Sequence, residues 1–218
     1  MAHKATATVP IVTTGDDLVG IGLAESLAHP GGNVTGIEVQ ALEIRPKWLE
    51  ILKAVAPNVR SVAVLADANE TPGVLNLKDA APHFGVTLTF LSSLPQDFDA
   101  SLAAIGSGRF DGLIVNDNPS LVRQPRIYAL VAESRTPAVY GVAFSVRLGG
   151  LIGYSFDTFE AGRRVADFVD RILRGAKPGD IPIERPTKFV LAINLKTAKA
   201  LGIDIPPTLL AAADEVIE

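Results

Sequence analysis

With 218 residues, 48% of them hydrophobic, the chain is long enough for one large or two small domains with a real core. Its 20 basic and 24 acidic residues leave a net charge of -4 and are mixed along the sequence, which excludes the clustered basic stripe of a nucleic-acid surface. The absence of cysteine excludes disulfides, thiolate metal sites and a cysteine nucleophile.

Residues Met1 to Thr8 lack the apolar segment of a signal peptide, and no stretch approaches the roughly 18 consecutive apolar residues of a membrane span. Val9 to Thr14 reads as a short buried strand, followed by Gly15-Asp16-Asp17 and a predicted helix from Val19 to Leu27. Gly20-Ile21-Gly22 matches two positions of a dinucleotide fingerprint, but Glu25 stands at the third glycine position and no acidic residue follows at the expected distance. His29-Pro30-Gly31-Gly32-Asn33 stops that helix, and Val34 to Val39 alternates and β-branches as a strand or extended crossover at a domain boundary. Pro46 suits a first helical turn, after which Trp48, Leu49, Leu52, Val55 and Ala56 fall at helical spacing; Trp48 on that stripe reads as core.

A strand-helix rhythm then sets in. Strands are predicted at Ser61 to Ala66, Val86 to Leu91, Asp111 to Val115 and Pro137 to Gly141, with helices at Thr71 to Phe84, Phe98 to Ile105 and around Arg126 to Glu133. Pro82 should end its helix early and Pro125 should delay the start of another. Such alternation means a parallel sheet with right-handed crossovers. Gly112 to Val115 is flexible or apolar throughout, as a strand buried on both faces should be, and it ends in Asn116-Asp117-Asn118-Pro119. Ligands in open α/β sheets sit outside the carboxyl ends of strands, which makes this tip a candidate grip, although the same residues are ordinary turn and cap chemistry. Asp67-Ala68-Asn69, Ser92-Ser93 and Tyr140-Gly141 end neighbouring strands and share the same rim.

Leu151 to Ser155 forms another short strand, and Asp157 or Thr158 can cap the helix that runs to Arg174 with Phe159, Gly162, Val165, Ala166, Val169, Ile172 and Leu173 in period. The arginines on its other face read as a solvated, ion-paired surface. Phe189 to Ile193 is a strand, Asn194 to Gly202 a short capped helix, and Ala213 to Glu218 a tail.

Constellations for catalysis do not assemble. His3, His29 and His83 have no metal-ligand spacing, and there is no nucleophile elbow, phosphate loop or zinc-protease motif. Asp67 and Asp117 leave a small α/β enzyme with strand-end carboxylates as one alternative. Binding fits better, because a zwitterion needs a carboxylate for its ammonium and hydroxyls or helix-terminal N-H groups for its carboxylate. Thr13, Thr14, Asp117, Tyr140, Tyr154 and Ser155 supply that inventory.

Pro30-Gly31-Gly32-Asn33-Val34-Thr35-Gly36, Arg171 to Pro178, Pro186-Thr187-Lys188-Phe189, Ile193 to Gly202, Ile205-Pro206-Pro207 and Ala213 to Ile217 together resemble the ABC-transporter substrate-binding protein family that includes tryptophan-binding proteins of the TrpX type. The resemblance covers almost all of residues 9 to 218. It implies an α/β, type I periplasmic-binding-protein-like fold, with two lobes closing on a small polar solute, a permease partner, no cofactor, and a periplasmic or lipid-anchored extracytoplasmic location. A sensory ligand-binding domain of a transcription regulator is the other alternative on this fold.

By position, the resemblance implies ligand contacts from Thr13, Thr14 and Asp17 on the first lobe, from Asn69, Asn116, Asp117 and Tyr140 on the second, and from Tyr154 and Ser155 on the return crossover. It also implies that roughly ninety residues of the family's first lobe, which would precede Val9, are missing. Residues 1–35 and 150–182 are then expected to form a partial first lobe, 36–149 a complete second lobe, and 183–218 a crossover strand with a helical tail. The partial lobe should expose an unpaired edge and an uncovered face at Val9 to Val12, and the chain should either self-associate through them or be poorly soluble.

Overall fold

The computed structural model describes residues 2–39, 44–66, 72–118, 121 and 123–218. The chain folds into two units, a smaller one of residues 1–40 and 156–189 and a larger one of residues 41–155 and 190–218. The smaller opens with β1 (Ile11–Gly15) and β2 (Val34–Glu38). The larger follows with α1 (Ile44–Val55), β3 (Ser61–Ala66), α2 (Pro72–Ala80), β4 (Thr87–Ser92), α3 (Phe98–Gly106), β5 (Gly112–Val115), α4 (Pro125–Ser134), β6 (Ala138–Tyr140) and β7 (Ile152–Phe156). Helix α5 (Thr158–Leu173) belongs to the smaller unit, and β8 (Phe189–Asn194), α6 (Leu195–Leu201), α7 (Pro207–Ala211) and β9 (Glu215–Ile217) complete the larger.

In the larger unit seven strands form one sheet in the order β4-β3-β5-β6-β7-β8-β9, mostly parallel. The central strands are apolar because helices cover both faces: Val62, Leu65, Leu113, Ile114, Val115 and Val139 are fully or almost fully buried. Leu49 and Leu52 of α1, Leu77 of α2 and Ile127 of α4 supply the covering layers. Strand order reverses between β3 and β5, so their carboxyl ends flank the crevice where such sheets take ligands. Pro82 does end its helix early: α2 stops at Ala80 and a 3-10 turn over Ala81–Phe84 closes on Gly85.

The smaller unit is a two-stranded parallel sheet under one long helix. Thr13 pairs with Gly36, and a Cβ on Gly36 would lie 1.9 Å from the Thr13 carbonyl oxygen; with φ at 142°, only glycine fits there. Helix α5 is capped by Asp157, whose carboxylate accepts from the amides of Phe159 and Glu160 at 3.0 Å each. Ala161, Val165, Phe168 and Ile172 then pack on Val12, Ile37 and Ile181.

Several expectations are corrected by this arrangement. Val19 to Leu27 is not a helix but a run of turns, because Gly22 turns left-handed (φ 74°), Asp17 takes the Gly20 amide, and the amides of Leu23 and Ala24 both close on the Leu18 carbonyl. Leu18 and Ala24 then bury against Ile183. The strand after Leu151 does not belong to the first lobe: β7 pairs with β6 through Val139 and Ile152 in the large sheet. Residues 36–40 and 183–189 lie in the smaller unit rather than with 36–149 and 190–218, because the β2 ladder with β1 runs on to Glu38 and Glu184 bridges to Ile37. The tail ends in strand β9, paired with β8. At β1 the outcome is divided: α5 lies across both strands and β2 takes one edge, while the other edge of β1 has no strand partner among the described residues, as expected.

Candidate functional site

The strongest grouping of polar and aromatic chemistry lies at the carboxyl ends of β5, β6 and β7, beside the start of α1. The Asn116 amide donates to the Leu65 carbonyl at 3.1 Å, carrying the β3 ladder to the strand tip. Gly141 follows β6, and its amide bonds to the Val115 carbonyl at 2.8 Å. Trp48, fully buried on α1, presses its ring against Gly141 and donates its indole N-H to the Tyr154 carbonyl at 2.8 Å. One helical turn earlier, the guanidinium of Arg45 lies 5.9 Å from the centre of that ring. Its Nη2 reaches Oδ1 of Asp117 at 3.6 Å, with the arginine side chain 8% exposed and the aspartate 28%. A cation and a carboxylate thus stand side by side on an aromatic wall, at a separation loose enough for each to take other partners.

The sequence-derived candidates divide by role. Asn116 and Asp117 are half-buried at the rim. Asn118 serves the turn instead, its side-chain oxygen accepting from the Leu121 amide at 3.4 Å. A cavity of about 500 Å³ adjoins it, lined in part by Ser93, Phe98, Gln124 and Arg126. Tyr140 is wholly buried, stacked on Tyr128 with ring centres 5.3 Å apart and planes at 17°. Its hydroxyl has no hydrogen-bond partner among the described residues, and burial pushes its pKa far above the usual tyrosine range. Burial likewise pushes Tyr128 up to about 12. Tyr154 is half-buried, with its pKa raised mainly by burial. Ser155 is almost fully buried, and its hydroxyl accepts the Ala143 amide at 3.1 Å, which anchors the 3-10 turn over Ala143–Leu148. Asn69, like Asp67, lies outside the described residues.

On the smaller unit, Thr13 is half-buried and its hydroxyl donates to the Thr14 carbonyl at 3.3 Å, while Thr14 is exposed. Asp17 holds φ at 48° and turns its carboxylate onto the Gly20 amide at 3.0 Å. The loop is pinned from below by Glu38, 2% exposed, which accepts from the Leu18 amide at 3.0 Å and from Arg185 at 2.8 Å. Sequence reasoning missed Arg45 and Glu38. For Arg45 a signal was present, a cation three positions before a buried tryptophan on one helix face; for Glu38 only the fold makes the connection.

Among the described residues, no three histidine, aspartate or glutamate side chains are grouped to hold a metal ion, and no helix is long and apolar enough to cross a membrane.

With that geometry in place, comparison with known proteins decides the family: the model for ABC transporter substrate binding proteins matches residues 1–217. The chain belongs to that family. A tyrosine-binding protein of Clostridioides difficile (strain R20291) is 29% identical over 209 residues, 93% of this chain and 59% of the relative, so the chain spans just under three fifths of that protein's length. The ABC domain from Streptococcus pneumonia in complex with L-Trp has a TM-score of 0.88 at 27% identity, covering 98% of this chain and 74% of that one. A conserved domain protein from Vibrio cholerae O1 biovar El Tor has a TM-score of 0.87 at 28% identity, covering 99% and 74%. The fold is that of periplasmic-binding-protein-like proteins.

Proposed function

We propose that the chain is the solute-binding part of an ABC importer, acting outside the cytoplasm with a membrane permease as partner, and that its ligand is an α-amino acid. The observation that carries this reading is the Arg45–Asp117 pair on the Trp48 wall, at the carboxyl ends of the strands. An amino acid brings the complementary charges: its carboxylate matches the Arg45 guanidinium and its ammonium matches Asp117, each a charge-assisted bond. Asn116 adds an amide at the rim, and Tyr154 an aromatic face. That one relative is named for tyrosine and another was crystallised with L-Trp supports an aromatic side chain as the first class to try. The chain binds this ligand and releases it unchanged.

A thermal-shift screen of the amino acids, followed by calorimetric titration, tests the proposal. A ligand at a hundred times its dissociation constant should add about 2.7 kcal/mol of stability. Arg45→Gln and Asp117→Asn should each weaken binding at least tenfold, roughly 1.4 kcal/mol. Absence of any stabilising amino acid, or affinity unchanged in both variants, would overturn it. Mass spectrometry of the incubated ligand separates binding from catalysis, since a chemically altered product would favour the strand-end carboxylate enzyme.

A further inference from the structure

The Arg45–Asp117 pair addresses the two charged groups of an amino acid but not its side chain. The residue after Asp117, Asn118, borders the cavity of about 500 Å³. Consecutive Cα atoms are about 3.8 Å apart, so the carboxylate for the ammonium and one wall of the cavity are a single residue step from each other. Ser93, just past the end of β4, lines the cavity too, which places it on the carboxyl-end rim of the sheet.

The volume lies within the ~300–1,000 Å³ of small-molecule sites, and the lining has their composition, apolar walls with a few polar groups. Leu121 is buried, Phe98 is half-buried and Leu94 is exposed at 39%. The Arg126 guanidinium lies 5.7 Å from the centre of the Phe98 ring, and its charge is met by Asp99 at 2.6 Å. With that pair cancelled, the lining carries no net charge. A carboxylate or ammonium entering it would lose hydration without an opposite charge of its own to meet, which is costly. A methyl-sized side chain would leave most of the wall without contacts. An aromatic ring presents a large apolar body to Leu121 and Phe98.

The polar groups decide which ring fits. The side-chain oxygen of Asn118 is committed to the Leu121 amide. Gln124 stands at the N-cap of α4, yet its side chain makes no capping bond. Its amide, donor and acceptor in one group, is therefore not spent on the helix.

We propose that this cavity is the side-chain pocket of the same ligand, and that Gln124 makes it select a ring with a hydrogen-bonding edge, a phenol or an indole, over a plain phenyl. The inference rests on the reading of Arg45 and Asp117 as the holders of the amino acid's charged groups.

Calorimetric titration of the full chain tests it. Tyrosine and tryptophan should bind about three- to tenfold more tightly than phenylalanine, the worth of one net hydrogen bond. Glutamate and lysine should bind at least about tenfold more weakly than tyrosine. Gln124→Leu should bring tyrosine and phenylalanine within about twofold of each other. Phe98→Ala should weaken tyrosine and tryptophan about tenfold. Circular dichroism melting checks that both variants fold, and Gln124→Leu, at an exposed position, carries the test if Phe98→Ala does not. The pocket is also probed without the charged pair. In amide NMR spectra, p-cresol and skatole, the tyrosine and tryptophan side chains alone, should shift Ser93, Asn118 and Gln124 more than toluene does. If Arg45→Gln weakens amino-acid binding while Gln124→Leu leaves the tyrosine-to-phenylalanine ratio unchanged and the fragments shift no cavity amide, the pocket assignment is overturned and the reading of the charged pair stands. If the fragments shift those amides but no amino acid binds, the reading of the charged pair fails, and the cavity's role as a side-chain pocket falls with it.

Discussion

Replacing Gly141 by alanine should disturb both the stability of the larger unit and the Arg45–Asp117 pair. The new Cβ would lie 2.7 Å from the Asp117 amide nitrogen, 2.7 Å from Cζ2 of Trp48 and 2.9 Å from its Cη2. The closest of these is about 0.8 Å short of the ~3.5 Å at which carbon contacts become favourable. Neither neighbour yields cheaply, since one is backbone and the other a fully buried ring held by its 2.8 Å bond to the Tyr154 carbonyl. Overpacking of this kind costs about 1–3 kcal/mol. At about 2–4 °C per kcal/mol for a chain of this size, the melting temperature should fall by roughly 2–12 °C. Urea unfolding measures the effect directly, as a lower midpoint with an unchanged slope. Gly32→Ala is the control, because a Cβ there meets nothing within 4 Å and the backbone is not left-handed. The displaced Asp117 should also weaken amino-acid binding. If Gly141→Ala unfolds within about 0.5 kcal/mol of the Gly32→Ala control, the close packing described at this site is wrong.

Asp157→Ala removes the α5 cap and should cost about 1 kcal/mol at pH 7 by urea unfolding. The amide of Glu160 and then the Lys188 ammonium hold the Asp157 carboxyl below the usual aspartate range. Its contribution is therefore fully present above the unfolded-chain pKa of about 3.9 and is lost as pH falls through the lower folded value, so the gap between parent and variant should close in acid. Tyr140→Phe removes a buried hydroxyl without a partner among the described residues and should leave stability unchanged or raise it by up to about 1 kcal/mol. Because folding raises the pKa of that hydroxyl, the parent's stability should fall as pH rises above about 10, and the variant should lose less between pH 7 and pH 10.5. Asn194→Ala breaks two bonds at once, the cap to the Thr197 amide and the buried bond to the Val146 carbonyl, both 2.9 Å, and should cost about 2 kcal/mol in the same assay.

The fold class was legible because its signal is local and repeated. Apolar runs such as Val62 to Leu65 and Leu113 to Val115, separated by helical stripes, admit few architectures besides a parallel sheet covered on both faces. Caps were legible for the same reason, as Asp157 and Asn194 act on amides two or three residues away. Trp48 was placed in the core from burial preference alone, and it is fully buried. The rim at Asn116 and Asp117 followed from the rule that ligand crevices open at strand carboxyl ends.

What the sequence left open depends on partners distant along the chain. Val19 to Leu27 has the composition of a helix, yet local competition from Gly22 and the Asp17 carboxylate, with burial of Leu18 on Ile183, converts it to turns. Strand β7 gives no sign of which sheet it joins, because its apolar residues would suit either; only pairing with β6 decides. Arg45 became a candidate ligand contact only when α1 was laid beside the end of β5, and Glu38 became the anchor of the loop before Leu18 only when β2 paired with β1. Local propensity and periodicity fix most of the elements, whereas the choice among partners of similar local fit is made by burial and pairing summed over the whole fold, which no window of sequence contains.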